Sequence, residues 1–424
     1  MGPRADAAPD LARRRICAFK LPPGTADEGF TVADQADFDE QLAEFEGVIA
    51  DLSEATDLAD REYLAWALLS RGDALYRVGR RKEALVSFEE VVTRLGNDPE
   101  VELRLRVATA LSYRVTALTA LKRPEDAIAV CDQLLDRFAD DPDPGFASHV
   151  SFALVEKGIA LTKLERDEEA VEALTEAITR FRDASESRLE GHVASALYNL
   201  EIALRRLGRH EEAVGAIDEY VALIGSSEDP DMPDRVAASL DAKGEHLAAL
   251  GRSDEALAAF QEVATRYGDT GDPRLRARVA RALLHAIVSL WRSDRDEQAL
   301  DTCDDLLARF GDDDEPAVRI SVVGALVRKG AILALGGRPD EAAPIFEQIT
   351  SLQTDDGSRL LLHFEPDEAE RLERAFAALS ESEADAGTAS NTDGLLTFED
   401  ASGNLRGIEV VDFRRIEIDL SAFD

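Results

Sequence analysis

A single motif recurs along this chain at a constant interval of 43 residues. It is a variant of Arg-x-x-Glu-Ala-Leu, and its arginine occurs seven times without insertion or deletion: Arg80, Arg123, Arg166, Arg209, Arg252, Arg295 and Arg338. Leucines recur at two further positions of every copy, beginning with Leu68 and Leu75. Repetition at this scale indicates an array in which each unit contacts its neighbours. We therefore predict a seven-fold tandem repeat.

Each unit is predicted to contain two helices. In the sixth copy Val279, Leu283 and Leu290 share one helical face, and in the fifth copy Phe260 and Val263 do so in the second helix. Linkers rich in Gly, Asp and Pro close each unit, because Gly and Pro interrupt helices. Neither helix can bury its apolar face alone, so neighbouring units must stack on a continuous core.

The pattern of residues in each repeat resembles the signature of the tetratricopeptide family. Gly72, Leu75, Ala84 and Phe88 have the relative spacing of the family signature, and residues 207–214 resemble its central turn. The resemblance covers about residues 57–355, and the 43-residue unit is similar to the longer repeats of kinesin light chains and many bacterial proteins. It implies an all-α fold: a right-handed α-solenoid of helix-turn-helix repeats.

The ends depart from the repeat. We predict an N-terminal extension (1–37), a solenoid with helical caps (38–379), a linker (380–393) and a short β-forming, hairpin-like tail (394–424). Apolar residues alternate with polar ones in the tail, as in half-buried strands, and we predict partner contacts for Ile408, Val410, Ile416, Ile418 and Leu420. Since no other strand is expected, we predict pairing with a partner's sheet. A second copy of the chain, the chain's own groove and a disordered tail remain alternatives.

Composition limits the class of protein. The formal charge is −38, which disfavours nucleic acid and anionic membranes as partners. No apolar run is long enough to cross a bilayer, and three cysteines are too few for a disulfide framework. A cytoplasmic protein is expected.

Catalytic and cofactor motifs are not found. Phosphate-binding loops, nucleophile elbows and Cys-x-x-Cys pairs do not occur, and we interpret the six histidines as scattered over the repeat positions, so no catalytic, cofactor or metal site is predicted. Cys131 and Cys303 are interpreted as small buried residues. The turn arginines are interpreted as caps of helix carbonyls. Basic residues that precede the repeat glycine, such as Lys157 and Lys243, are interpreted as neutralising neighbouring acids rather than as an anion track.

Function is expected on the first helices, which the resemblance implies line a concave groove. The predicted partner-binding residues there are Trp66, Leu69, Tyr76, Phe152, Tyr198, Arg205, Arg281 and Trp291. Aromatic and Arg side chains are common interface anchors, although longer helices would bury them against the next unit. We predict a non-catalytic scaffold that binds a protein or peptide. The alternative is a regulatory or sensor subunit of a separate effector enzyme, a peptidase or kinase, and self-association stays open.

Overall fold

A computed structural model describes residues 32–184, 186–225, 229–351, 359–363, 366–384, 390–392, 395–399, 405–412 and 415–419. The chain divides into two compact units, Met1–Ala203 and Leu204–Asp424. The helices are α1 (Val32–Asp51), α2 (Leu58–Arg77), α3 (Arg81–Leu95), α4 (Val101–Ala120), α5 (Pro124–Phe138), α6 (Ala147–Lys163), α7 (Asp167–Phe181), α8 (Ser187–Arg206), α9 (His210–Ile224), α10 (Met232–Ala249), α11 (Ser253–Tyr267), α12 (Pro273–Arg292), α13 (Asp296–Phe310), α14 (Pro316–Leu335), α15 (Pro339–Ser351) and α16 (Pro366–Ala384). A 3₁₀ turn, Pro144–Phe146, precedes α6.

Seven helix pairs, α2–α3 to α14–α15, correspond to the seven predicted repeats. We call the even-numbered helix of each pair the A helix and the odd-numbered one the B helix. Both leucines that recur in the A helices are at most 5% exposed in every repeat, and the recurring alanine of the B helix is at most 1% exposed. The repeated positions are therefore the core, and the predicted α-solenoid of helix pairs is confirmed.

The turn within each repeat is closed by a Schellman motif, in which backbone N–H groups cap the last carbonyls of the A helix. In the first repeat Gly79 N donates to Tyr76 O over 3.0 Å, and Arg80 N donates to Leu75 O over 2.9 Å. The bond from the turn arginine to the carbonyl five residues back recurs in all seven repeats. This arginine therefore caps the A helix as predicted, and the capping group is its backbone N–H.

The arginine side chain acts on the following helix instead. In all seven repeats its guanidinium binds the side chain three residues on, in the first turn of the B helix: Glu83, Asp126, Glu169, Glu212, Glu255, Gln298 and Glu341. An acid at this position also complements the helix dipole. One residue thus links the end of one helix to the start of the next.

The residue before the turn arginine has a left-handed backbone. It is glycine in four repeats, but in the others Lys122, Glu165 and Asp294 have φ angles of 57°, 60° and 56°. A side chain disfavours this conformation by about 1–2 kcal/mol, because its Cβ crowds the backbone.

Replacing exposed Lys122 by glycine should relieve that strain. We expect Lys122→Gly to raise the free energy of unfolding by about 0.5–1 kcal/mol, after the greater backbone entropy of glycine in the unfolded chain is subtracted. Gly208→Ala is the matched control, since Gly208 has a φ of +68° and open space around it, and it should destabilise by a similar amount. Urea denaturation gives both values, and a loss of stability in Lys122→Gly would contradict the argument.

The glycine of the A helix and the residue 16 positions later in the B helix are matched in size. A Cβ on Gly72, Gly158, Gly244 or Gly330 would overlap the large side chain opposite it, which is Phe88, Leu174, Phe260 or Phe346 respectively. Where the A helix has Val115 or Ile287, the facing residue is Cys131 or Cys303. Both cysteines are 0% exposed, as predicted for small core residues. Burial raises the thiol pKa of both, to about 12 for Cys303.

Both ends of the helical array differ from the predicted bounds. The first described helix starts at Val32, six residues before the predicted solenoid boundary. The last helix, α16, continues to Ala384 and so includes the first five residues of the predicted linker. Ser and Asp in this segment suggested a linker, but Glu381, Glu383 and Ala384 are good helix formers that extend α16.

Five short strands form one antiparallel sheet in the order β1-β5-β4-β3-β2. They are β1 (Arg359–His363), β2 (Ser390–Thr392), β3 (Leu395–Glu399), β4 (Leu405–Asp412) and β5 (Arg415–Asp419). The expectation that no strand precedes the tail is wrong, because β1 pairs with β5 through Leu362↔Ile416 and Leu360↔Ile418. Of the other predicted tail contacts, Ile408 faces Leu396 in the β3–β4 register, Val410 lies in the irregular part of β4, and Leu420 lies outside the described residues.

Candidate interaction surface

The eight predicted groove residues lie on the A helices at three repeat positions, those of Trp66, Leu69 and Tyr76. Together with the position of Asp73, which lies between them, they define what we call the A face: the positions of Trp66, Leu69, Asp73 and Tyr76, and their equivalents at 43-residue intervals. These positions are three or four residues apart, so they share one side of each A helix. The two compact units are described separately below.

The start of the A face is an aromatic cluster. The Trp66 ring stacks on Tyr63 with centroids 5.4 Å apart and meets the edge of Phe45 at 6.1 Å. Leu69 is 7% exposed and belongs to the core, which corrects its prediction as a partner contact. Tyr76 is half-buried, with the Arg81 guanidinium 5.9 Å from its ring centroid. Trp66 and Tyr76 therefore keep only part of their surface for a partner.

More surface is available further along the first unit. Tyr198 of α8 is 47% exposed and Tyr113 of α4 is 41% exposed. Phe152 of α6 is half-buried, and its ring lies 6.1 Å from that of His192. Tyr113 was missed by sequence reasoning, although it lies one residue beyond the repeat position of Leu69. These aromatic rings come from three successive A helices.

A basic cluster adjoins these rings. His149 and His192 are 43 residues apart and so share one repeat position, which corrects the statement that the histidines are scattered. His149 Nδ1 lies 3.0 Å from Ser112 Oγ. Burial and the positive charge of Arg188 lower the pKa of both imidazoles. The regular spacing was the available sequence signal for this cluster.

In the second unit, charged side chains of the A face pair with one another. Asp241 is 1% exposed; its Oδ2 accepts from Arg281 Nε over 2.7 Å, and its Oδ1 lies 2.8 Å from His285 Nδ1. Asp241, Glu245 and His285 are close enough to share a metal ion. The Arg281 guanidinium already neutralises Asp241, so the arrangement favours an internal ion pair over a cation site. Arg281 is thereby partly occupied. Arg205 is exposed.

Trp291 does not lie on an accessible surface. It is 1% exposed, so its prediction as a groove anchor is wrong and burial against a later element is correct. Arg371 of α16 donates from Nη1 to Trp291 O over 2.6 Å, and its guanidinium lies 5.5 Å from the Trp291 ring centroid. Repeat position alone could not reveal that α16 covers this residue.

The basic residues beside the repeat glycines are neutralised within the array. Lys157 binds Asp132 at 2.6 Å and Lys243 binds Asp218 at 2.5 Å, in each case 25 residues earlier on the preceding B helix. Lys329 binds Asp304 in the same way, and Arg71 binds Glu90. This confirms internal neutralisation over an anion track.

Comparison with known proteins identifies the family. A sequence model of the tetratricopeptide repeat matches residues 69–142, 155–233 and 242–314. The chain therefore belongs to the tetratricopeptide repeat family, whose members are generally protein-interaction scaffolds and typically non-catalytic. A search of curated proteins finds no match. None of the described helices combines the length and apolar character that crossing a bilayer requires.

Several solved structures are similar to this chain. BtubC from P. vanneervenii is 17% identical, with 56% of this chain and 94% of that chain covered and a TM-score of 0.42. A tetratricopeptide repeat protein from Parabacteroides merdae is 12% identical, with 74% and 98% covered and a TM-score of 0.39. YrrB, a tetratricopeptide protein with an unusual peptide-binding site, is 18% identical, with 53% and 93% covered and a TM-score of 0.36. At sequence identities and TM-scores this low, the ligands of those proteins say nothing about what this chain binds.

Proposed function

We propose that this chain is a non-catalytic scaffold that binds a partner protein or peptide along the A face of its first unit. The observation that carries the proposal is that the A face of two successive A helices carries the exposed Tyr198 and the half-buried Phe152. On the preceding A helix, exposed Tyr113 lies one residue beyond the A-face position of Ser112. Large rings that remain accessible on a rigid helical surface are typical interface anchors. In the second unit the A face contributes less, because α16 covers Trp291 and Arg281 is paired with Asp241.

Tyr198→Ala should weaken partner binding about tenfold or more, as loss of an aromatic anchor usually does. The partner is first isolated from the native host with the full chain, and the dissociation constant is then measured for each variant by calorimetry. Val86→Ala is the matched control: Val86 is 65% exposed and lies on a B helix, at a cleft of about 600 Å³ between α3 and α5. Weaker binding by Val86→Ala with no effect of Tyr198→Ala would place the contact on the B helices and contradict the proposal.

The C-terminal tail is a second candidate contact, suited to a regulatory complex with an effector enzyme. Within the described strands, β1 and β2 each have one neighbour in the sheet, and such edges accept a further strand. Ending the chain after Ala384 removes β2 to β5 and keeps every described helix. Unchanged affinity for the isolated partner after this truncation would exclude the tail as a contact.

A further inference from the structure

We propose that the cleft between α3 and α5, on the B-helix side of the first unit, binds an amphiphilic carboxylate, a small molecule with an apolar chain and one carboxylate group. This site is separate from the A face and does not depend on the proposed function. The cleft has a volume of about 600 Å³, within the usual range of small-molecule sites, and α4 forms its floor. Two departures from the repeat pattern and one buried arginine meet there.

The first departure is a large apolar side chain on the outside of a B helix. Val86 of α3 is 65% exposed. Elsewhere the same repeat position has small residues, acids or proline: Ala129, Glu172, Gly215, Ala258, Asp301 and Pro344. Val86 and Ala129 both line the cleft, together with Leu85, Leu118 and Val130. An apolar chain bound there removes the surface of Val86 from water, which is favourable.

The second departure is a missing acid on α5. The B helices of four other repeats pair an arginine of their last turn with the acid four residues earlier: Arg94 with Glu90, Arg180 with Glu176, Arg266 with Glu262 and Arg309 with Asp305. In the second repeat the arginine is Arg137, and the residue four positions earlier is the uncharged Gln133. Among the residues that the structure describes, Arg137 makes no ion pair.

Arg114 of α4 brings a second guanidinium to the same place. Its side chain is 17% exposed and lines the cleft. Its Nη2 binds Glu89 at 2.5 Å, and its Nη1 donates to Gln133 Oε1 over 3.3 Å. Burial lowers the pKa of Arg114 and the positive charge of Arg137 adds to this shift, whereas Glu89 opposes it. A further negative charge near the two arginines is therefore favourable.

The two guanidinium groups lie toward one end of the cleft. Gln133 contacts Arg114 and precedes Arg137 by about one helical turn, so it connects them. Arg137 reaches the end of α3, where its Nη1 would lie 3.0 Å from a Cβ added to Gly96. The other charged side chains of the cleft are paired with each other: Arg94 with Glu90, and Arg123 with Asp126. The cleft thus combines an apolar wall with one incompletely neutralised basic end.

These features determine the chemistry of the ligand. Guanidinium groups favour carboxylate or phosphate, which they bind through paired hydrogen bonds. The formal charge of −38 disfavours a doubly charged phosphate more than a singly charged carboxylate. Along α3 the lining extends from Leu85 to Arg94, about 14 Å at 1.5 Å per residue. An extended chain such as that of octanoate fits within this length with its carboxylate at the basic end.

The test measures binding of octanoate to the full chain by calorimetry at pH 7.5, below the concentration at which octanoate forms micelles. Octanol, octylammonium and octyl phosphate carry the same chain with a neutral, a positive and a phosphate head group. Circular dichroism checks that each protein variant keeps its helical fold.

The variants use the repeats as their guide. Gln133→Glu restores the acid that pairs with the arginine in four other repeats, and Arg137→Gln removes the unpaired cation. Val86→Asp introduces the acid that the sixth repeat has at Asp301, so the fold accommodates it. Arg309→Gln is the matched control, because it removes the equivalent arginine of the sixth repeat.

We expect saturable binding of octanoate, and binding of octanol and octylammonium at least tenfold weaker. Gln133→Glu, Arg137→Gln and Val86→Asp should each weaken octanoate binding at least fivefold. Arg309→Gln should change it less than twofold, since that arginine is already paired with Asp305.

Several results overturn the inference. Without saturable binding of octanoate there is no such site, and octanol that binds as tightly as octanoate shows that the charge is not recognised. Wild-type affinity in both Gln133→Glu and Arg137→Gln places any binding elsewhere. Tighter binding of octyl phosphate than of octanoate contradicts the choice of a carboxylate. None of these results bears on the A face, because the experiment contains no partner protein.

Discussion

Gly244→Ala should destabilise the array by about 1–3 kcal/mol, because the new methyl group has no space. Its Cβ would lie 2.6 Å from Phe260 Cδ1, inside the packed interface between α10 and α11. The control is Gly215→Ala on α9, where nothing lies within 4 Å of the added atom. That change should stabilise by up to about 1 kcal/mol, since alanine favours helix more than glycine does. Urea denaturation should therefore give opposite signs for the same substitution.

The matched sizes across the repeats also predict a specific rescue. Gly244→Ile/Phe260→Cys converts the fifth repeat to the pairing that Ile287 and Cys303 make in the sixth. We expect each single change to cost about 3 kcal/mol, from overpacking in one case and a cavity in the other. The double variant should recover about 2–3 kcal/mol of their sum, as contacting residues are coupled. If the free-energy costs of the two single changes simply add in the double variant, the sizes of the two residues are not coupled.

Glu368→Ala should release α16 from the second unit, at a cost of about 3–5 kcal/mol. The Glu368 carboxylate accepts from Arg328 Nε over 2.9 Å, and these side chains are 3% and 6% exposed. Arg328 also donates to Gly324 O within its own helix. Removing the carboxylate takes this counter-ion away from the buried Arg328 charge. Amide exchange of α16 and limited proteolysis should both accelerate.

The neighbouring residue provides the control for this ion pair. Asp367 binds Arg292 at 2.8 Å, but its side chain is 50% exposed, so Asp367→Ala should cost no more than about 1 kcal/mol. Replacing the buried pair by Arg328→Met/Glu368→Leu should restore most of the stability, because apolar residues of similar volume need no counter-ion. Equal effects of Asp367→Ala and Glu368→Ala would refute a special role for the buried pair.

The repeated core was predictable because it is encoded at fixed intervals. Leu68 and Leu75 and their equivalents are buried in every repeat for the same reason: each A helix presents them to its own B helix and to the next repeat. The alternation of glycine with Val115 and Ile287 was also visible. That these larger residues are matched by the small Cys131 and Cys303 could not be predicted, because it depends on which residues face each other across the helix pair.

The surface was less predictable, because exposure depends on elements far along the chain. Trp291 has the same repeat position as Tyr76, yet α16 covers one and not the other. Pairing of β1 with β5 joins segments more than 50 residues apart, and no local pattern near Arg359–His363 specifies its partner. His149 and His192 were overlooked although their interval equals the repeat, because single histidines carry little signal without a neighbour such as Arg188.

The ion pairs between successive repeats distinguish the excision of one repeat from the excision of two. The glycine–phenylalanine match lies inside one repeat, so removal of any whole 43-residue segment preserves it. Lys243 instead pairs with Asp218 of the preceding repeat, where the next copy upstream has Thr175. Excision of a single repeat would set this lysine opposite threonine, whereas excision of two would set it opposite Asp132. Excision of two repeats should therefore preserve this ion pair, and excision of one should remove it.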